Sequence, residues 1–459
     1  MIKKIAAVII LVCVGGVIYY YASANKQLDV ENILQNSSLK NRSFASKVVN
    51  IESNGVSAYL MEEHSAPIVS LSLAFKHSGW AYEDEKQAGI SNILAAMLTS
   101  GAGEYSAEEF SDLCAEHGIH IEFTAQRDDI TASMQMPAYD RELAVKLLKA
   151  VLYEPLLAEN YLQINKEQTL TLLQLQKERP ENVLKENFRH KMYGNHAYAR
   201  QPLGNETSIA GLQAEDLRQY MEVKFTKNNL VVGIAGDISQ AEAEDMLAEL
   251  FALLPENEND DNLAVVKAPQ YGTEYNVEMD TAQVVSHFAV PGTKRRNADF
   301  YALYLANYIF GGSGLNSRIS QIIREKEGLT YGIYTYLSTA DAAELLEGGF
   351  SATPENFVKA KKLLLQEWHK MAAEGVNEQE LAEAKQALVA SFNLRFDTVE
   401  SIADMLVNIQ EYNLGQDFLD KRNDYIQNVS LKEVNDAAKK YFRVEPLFVN
   451  VGINEKEKN

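Results

Sequence analysis

Eight histidines and two cysteines are the side chains of this chain best suited to hold a metal ion or attack a bond, and their spacing scatters most of them. The one tight cluster is His117-Gly118-Ile119-His120, flanked by Glu116 and Glu122. Gly118 marks a helix end leading into a strand, where His120 and Glu122 share a face because side chains alternate. That pattern fits a turn with solvated imidazoles better than a metal site. His64, His77, His190, His196, His287 and His369 stand isolated in the sequence. Cys13 lies in an apolar N-terminal run and Cys114 stands alone on a helix, so neither a zinc-binding cysteine cluster nor a disulfide framework is available. No Ser/His/Asp or Cys/His arrangement for nucleophilic catalysis stands out. Phe310-Gly311-Gly312-Ser313-Gly314-Leu315 is glycine-rich, which permits close backbone approach. No Lys-Ser/Thr follows it and no strand leads in, so it is not a nucleotide loop.

A second group of residues is informative through what it lacks. The stretch from Gly89 to Gly101 has helical periodicity over 88–98. It resembles the helix of the insulinase/pitrilysin peptidases, which carries His-x-x-Glu-His inside Gly-[aliphatic]-x-His-x-Leu-Glu-His-Met-x-x-x-Gly. Asn92 stands at the first His, Ala95 at the Glu and Ala96 at the second His. In that motif two imidazoles one turn apart grip a zinc ion, and the Glu takes a proton from the metal-bound water. Asn92 is a weak donor through its carbonyl, Ala95 has no proton to move and Ala96 has no lone pair. The resemblance also implies a distal Glu ligand, and Gln174, in the helical segment Lys166–Leu175, stands there. A neutral amide is a poor zinc donor. Glu167 of the same segment reads as an ordinary solvated helix carboxylate. The expectation is that no metal or cofactor is held by this chain.

The second half resembles the same family more closely. Asn316-Ser317-Arg318-Ile319 through Arg324-Glu325-Lys326-Glu327-Gly328-Leu329-Thr330-Tyr331 matches the family's Ser-Arg-Leu…Arg-Glu-x-x-Gly-Leu-x-Tyr segment. The resemblance implies that Arg324 and Tyr331 reach toward substrate at the zinc site of another half. An Arg offers fixed donors to a peptide carbonyl, and a Tyr hydroxyl helps hold a developing oxyanion. The plainer reading is an exposed helix-end Arg and a strand Tyr that pack locally. In related non-catalytic subunits a glycine loop such as Gly311, Gly312 and Gly314 guides substrate; a helix break is the alternative. Tyr193-Gly194-Asn195-His196-Ala197-Tyr198 through Gly204 also resembles the family's His-x-Tyr-…-Gly stretch. Taken whole, the resemblance implies the non-catalytic subunit of an exported heterodimeric zinc metallopeptidase acting on peptides. Zinc would then sit in a homologous partner with an intact His-x-x-Glu-His. The alternative is a non-enzymatic periplasmic scaffold or chaperone-like adaptor on the same fold.

The elements that must position these residues follow from pattern and length. At 459 residues the chain exceeds one ordinary core. Ile68 to Phe75 alternates as a half-buried strand, 48–60 reads as strand–turn–strand, and Leu230 to Ile234 is a strong strand. Helices are expected over 107–117, 139–152, 157–177, 181–193 and 240–254. Beyond the acidic stretch after Pro255 the pattern restarts: 284–292 echoes 68–79, 355–374 with 378–393 echoes a helix pair, and 441–452 echoes 224–236. The expected class is α+β: two halves of similar build, each a mixed, mainly antiparallel sheet with packed helices. The resemblance implies that such a chain is one half of a clamshell. The expected organisation is an address (1–24), a polar lead-in (25–45), an N-terminal domain (46–254), an acidic linker (255–272) and a C-terminal domain (273–459). Lys3 and Lys4 precede the apolar run 5–21, and Ala22-Ser23-Ala24 offers a cleavage site, so the address is a cleaved signal or an uncleaved anchor of marginal length. Either places the bulk of the chain in a bacterial periplasm. The net charge of −21 disfavours nucleic-acid binding; it keeps the surface soluble and would also attract basic peptides.

Overall fold

The structure, a computed structural model, describes residues 47–256 and 263–453. The expected address, the polar lead-in, residues 257–262 of the acidic segment and the last six residues lie outside the described residues.

The first half runs β1 (Val49–Ser53), β2 (Val56–Glu62), β3 (Ile68–Phe75), α1 (Ile90–Met97), α2 (Ala107–His117), β4 (His120–Ala125) and β5 (Ile130–Pro137). Helices α3 (Arg141–Tyr153), α4 (Glu159–Gln176), α5 (Pro180–Tyr193), α6 (Glu206–Gly211) and α7 (Ala214–Lys224) lead to β6 (Leu230–Gly236) and α8 (Gln240–Phe251). The second half runs β7 (Glu274–Val277), β8 (Val284–Pro291), α9 (Phe300–Asn307), β9 (Ile333–Thr339) and β10 (Glu344–Ala352). Then come α10 (Pro354–Glu374), α11 (Glu378–Ala390), α12 (Val399–Glu411), α13 (Phe418–Gln427), α14 (Leu431–Tyr441) and β11 (Leu447–Val451).

The strand orders are β1-β2-β6-β3-β5-β4 and β7-β11-β8-β10-β9. Each sheet holds one parallel pair, β2 with β6 and β7 with β11, and the other pairings are antiparallel. The echoes in the sequence are therefore structural: β8 occupies the place of β3, and β11 that of β6. The expected fold class holds. Two differences concern ends: α8 stops at Phe251 rather than 254, and α11 at Ala390 rather than 393.

Each half has its own core. Leu71, Leu73 and Phe75 of β3 pack with Ile90, Leu94 and Met97 of α1 in the first. In the second, Trp368 of α10 sits among Phe288, Phe310 and Phe442, its ring centroid 4.5 Å from that of Phe442. Large apolar side chains buried in this way contribute about 2–3 kcal/mol each.

The halves are also interlocked. The third helix after β5, α5, packs on β11 and β8 of the second sheet, and the third helix after β10, α12, packs on β6, β3 and β2 of the first. A Cβ at Gly233 of β6 would lie 2.3 Å from the Ala403 carbonyl of α12, so glycine there sets how closely the helix seats. Ser72 of β3 donates to Asp404 at 2.5 Å, and Gln410 donates to the Val232 carbonyl at 2.7 Å. The described part of the acidic segment is tied back as well: Val266 N–H donates to Ala342, and the His196 ring bonds the Ala264 carbonyl at 2.7 Å.

Candidate functional site

The degenerate motif lies on α1, and the sequence holds this helix by its N-terminus. Gly89 takes φ +94°, and Glu83, 4% exposed, swings its carboxylate over the first turn. Its oxygens accept the Gly89 N–H at 2.7 Å, the Ser91 N–H at 2.8 Å and the Ser91 hydroxyl at 2.6 Å. Orphan N–H groups and the positive end of the helix dipole both favour a carboxylate there. Burial nevertheless pushes Glu83 up to about 7, against the pull of these hydrogen bonds and of Arg200. In the sequence Glu83 opens a polar stretch, 83–86, whose pattern is that of a turn. The signal that could have found it was an acid six residues before a cap position occupied by Gly89 rather than by Ser, Thr, Asp or Asn.

The two first-half motifs meet in space. The Arg200 guanidinium donates to the Glu83 carbonyl at 2.6 Å. Gly204, at φ +76°, lies against the Ala88 carbonyl so tightly that a Cβ would come within 2.0 Å of it. Asn92 donates from Nδ2 to the Pro202 carbonyl at 2.8 Å. The residue at the first ligand position is thus committed to holding the 200–204 loop.

The remaining positions offer no donors. Ala95 is buried at 6% exposure and Ala96 presents a methyl group to solvent. Helix α4 packs on α1, but through a stripe that includes Thr169 and Leu173; Gln174 lies on the exposed side. Glu167 is exposed and accepts from Gln163 one turn away. An engaged amide, two methyl groups and an outward-facing glutamine do not fit a zinc ion, which takes imidazole, thiolate or carboxylate donors. The histidine cluster also disperses: His117 bonds Asp140 at 3.1 Å, while His120 lies 3.5 Å from Glu122 on the exposed face of β4. Among the described residues no group of three or more His, Cys, Asp or Glu stands placed to hold a metal ion. Cys114 is half-buried, and burial pushes its thiol up, away from a reactive thiolate.

In the second half the glycine loop joins two π-helical segments, Tyr308–Gly312 and Ser320–Lys326. Such wide turns recur at functional sites. Gly311 is buried against Thr335, whereas Gly312 and Gly314 are exposed. Behind them Asn307 Oδ1 and Thr335 Oγ1 are buried without a hydrogen-bond partner. Arg318 anchors the second segment, donating to both oxygens of Glu380 at 2.6 Å and to the Gly375 carbonyl at 2.9 Å. Arg324 projects from this segment, half-exposed, with Glu325 at 3.6 Å. Tyr331 is 83% exposed and precedes β9, so it is a turn residue rather than the strand residue of the plainer reading. Thr330 fixes that turn, its hydroxyl donating to the Ser351 carbonyl at 2.5 Å. Beyond it Tyr334 and Tyr336 stack at 6.0 Å on the outward face of β9, an edge strand. In the sequence only the alternation along β9 marks this pair.

Comparison with known proteins agrees with this anatomy. The family model for insulinase (peptidase family M16) matches residues 58–206, and that for the peptidase M16 inactive domain matches 211–388. The non-peptidase homolog YmxG of Helicobacter pylori is 27% identical over 403 residues, 86% of this chain and 91% of its own. A Bacillus subtilis protein described as an uncharacterized zinc protease, also YmxG, is 24% identical over 369 residues, 80% and 88% of the two chains. Among solved structures, a peptidase M16 inactive domain from Pseudomonas fluorescens superposes with a TM-score of 0.83 at 24% identity, covering 89% of this chain and 98% of its own. A Helicobacter pylori protease superposes at 0.78 and 15% identity, covering 88% and 99%. These two likenesses establish the fold. With its architecture, its paired motifs and both family models in agreement, the chain belongs to the insulinase (peptidase M16) family, as an inactive member without the zinc-site residues.

Proposed function

We propose that this chain is the substrate-binding, non-catalytic subunit of an exported heterodimeric zinc metallopeptidase. The carrying observation is the contrast between a first half with no metal-donor set among its described residues and a second half that presents Arg324 and Tyr331 to solvent. In this reading a homologous partner with intact His-x-x-Glu-His holds the zinc. Arg324 donates to the substrate carbonyl, and the Tyr331 hydroxyl stabilises the oxyanion as it forms. Gly311, Gly312 and Gly314 lead the peptide in. An extended peptide adds to an exposed sheet edge through main-chain hydrogen bonds, and β9, which starts two residues after Tyr331, is such an edge. The leader at 1–24 delivers the chain to the periplasm, where the partner is expected too.

The test is to purify the chain alone and together with its His-x-x-Glu-His relative. Cleavage of an unfolded peptide is expected from the pair only, with zinc in the relative. Hydrolysis by the single chain with stoichiometric zinc would defeat the reading. The name of the Helicobacter pylori relative, a non-peptidase homolog, fits a subunit of this kind and equally favours the second reading, a periplasmic scaffold. A scaffold gives a pair whose hydrolysis is indifferent to Arg324→Ala, or no pair at all.

A further inference from the structure

The two halves meet around a cavity of about 320 Å³ that neither motif touches. The first half contributes Lys76 from the end of β3 and Asp128 and Asp129 from the β4–β5 turn. The second contributes Lys294, Arg295 and Arg296 after β8, Asp341 and Glu344 around the β9–β10 turn, and Glu411 and Tyr412 at the end of α12. This seam lies where the crossing helix α12 ends, so whatever loosens it loosens the grip of one half on the other.

Most charges here have partners. Asp128 accepts from the Tyr198 hydroxyl at 2.5 Å, and Tyr198 in turn accepts the Ala342 N–H at 3.0 Å. Arg127 lies 3.4 Å from Asp128 and stacks over the Tyr198 ring. Asp341 accepts from the Tyr82 hydroxyl at 2.8 Å and faces His77 at 3.6 Å. Lys294 reaches Glu344 at 4.0 Å, and the Arg295 guanidinium lies over the rings of Phe300 and Tyr412. Two carboxylates are left, one from each half. Asp129 accepts only the His77 backbone N–H, at 3.1 Å, and among the described residues neither Asp129 nor Glu411 forms an ion pair.

We propose that this seam is a pH-sensitive latch in which protonated Asp129 and Glu411 let the two halves close, and their ionisation loosens the contact through burial cost and like-charge repulsion.

The proton affinities point the same way. Burial, then the neighbouring charges of Glu411, Asp341 and Asp128, pushes Asp129 up to about 8. Burial pushes Glu411 up to about 7, opposed by Lys76 and reinforced by Asp341 and Asp128. Burial also raises Asp128, against the pull of Arg127 and Tyr198. A carboxyl that holds its proton more tightly in the closed form stabilises that form at low pH. The stabilisation falls as pH rises through about 7 and is gone above about 8.

Amide hydrogen exchange on the full chain tests this. After correction for the intrinsic exchange rate, protection of α12 and of the β4–β5 turn is expected to fall at least about tenfold between about pH 6 and about pH 9, while that of β3 and β10 changes little. The double variant Asp129→Asn with Glu411→Gln keeps the hydrogen-bonding atoms and removes the titration, so its fall is expected to stay under about twofold. Equal protection of wild-type α12 at both pH values overturns the latch without recourse to any variant. A variant that opens as much as the wild type overturns the assignment to these two residues.

Discussion

The two halves share a topology and have diverged in opposite ways. In the first, the helix that stands at the family's metal position is held by the Glu83 cap, the Gly204 approach and the Asn92 bond to Pro202. The side chains that would do chemistry there are gone. In the second, Arg324 and Tyr331 stand exposed with little to hold them, on a π-helical segment pinned through Arg318. The contrast teaches that frame and chemistry are separable. A ligand-bearing helix is kept by its cap and its packing stripe, which zinc ligands do not supply. Reactive side chains stay exposed because whatever fixes them does so through the backbone on either side.

The comparison can be broken at several points. Glu83→Ala strips the buried acceptor from Gly89 and Ser91 and is expected to cost about 4 kcal/mol in denaturant unfolding; a cost near zero means the first-half frame is held by something else. Arg318→Ala leaves Glu380 unpaired and is expected to cost about 3 kcal/mol, with local exchange confined to 317–326. In an active pair, Arg324→Ala should lower kcat/KM about a hundredfold while leaving the unfolding midpoint unchanged. If stability falls instead, Arg324 is part of the frame and the contrast between the halves fails. Asn92→Ala removes one hydrogen bond and is expected to cost about 1 kcal/mol. Zinc binding by the unaltered chain that Asn92→Ala abolishes would show that Asn92 is a ligand rather than part of the frame.

The secondary elements were largely legible. Alternation marked β3, its echo at 284–292 marked β8, and 3.6-residue periodicity marked α2 to α5, because burial on one face leaves a local pattern. The helices α6, α7, α9 and α12 to α14 went unread. Helix α6 is only six residues long. Helices α12 to α14 have apolar stripes, and the turn and cap signals between them, Thr398, Asn413, Gly415 and Ser430, went unused. The loss of the family's zinc-site residues was legible once the resemblance placed Asn92 and Ala96 at the two His positions and Ala95 at the Glu, since a methyl group can neither coordinate nor move a proton in any fold. Glu83 was not, because its function depends on a carboxylate reaching six residues forward.

The sequence by itself determined the class of fold, the repeat, and the loss of donors on α1. Each depends on local periodicity or on the chemistry of single side chains, and neither needs a partner to be named. Tertiary structure alone decided that α5 and α12 exchange sheets and that Asp129 and Glu411 meet across a seam. An amphipathic stripe says that a helix face is buried but not against which surface. A carboxyl group's proton affinity is set by groups hundreds of residues away in the chain.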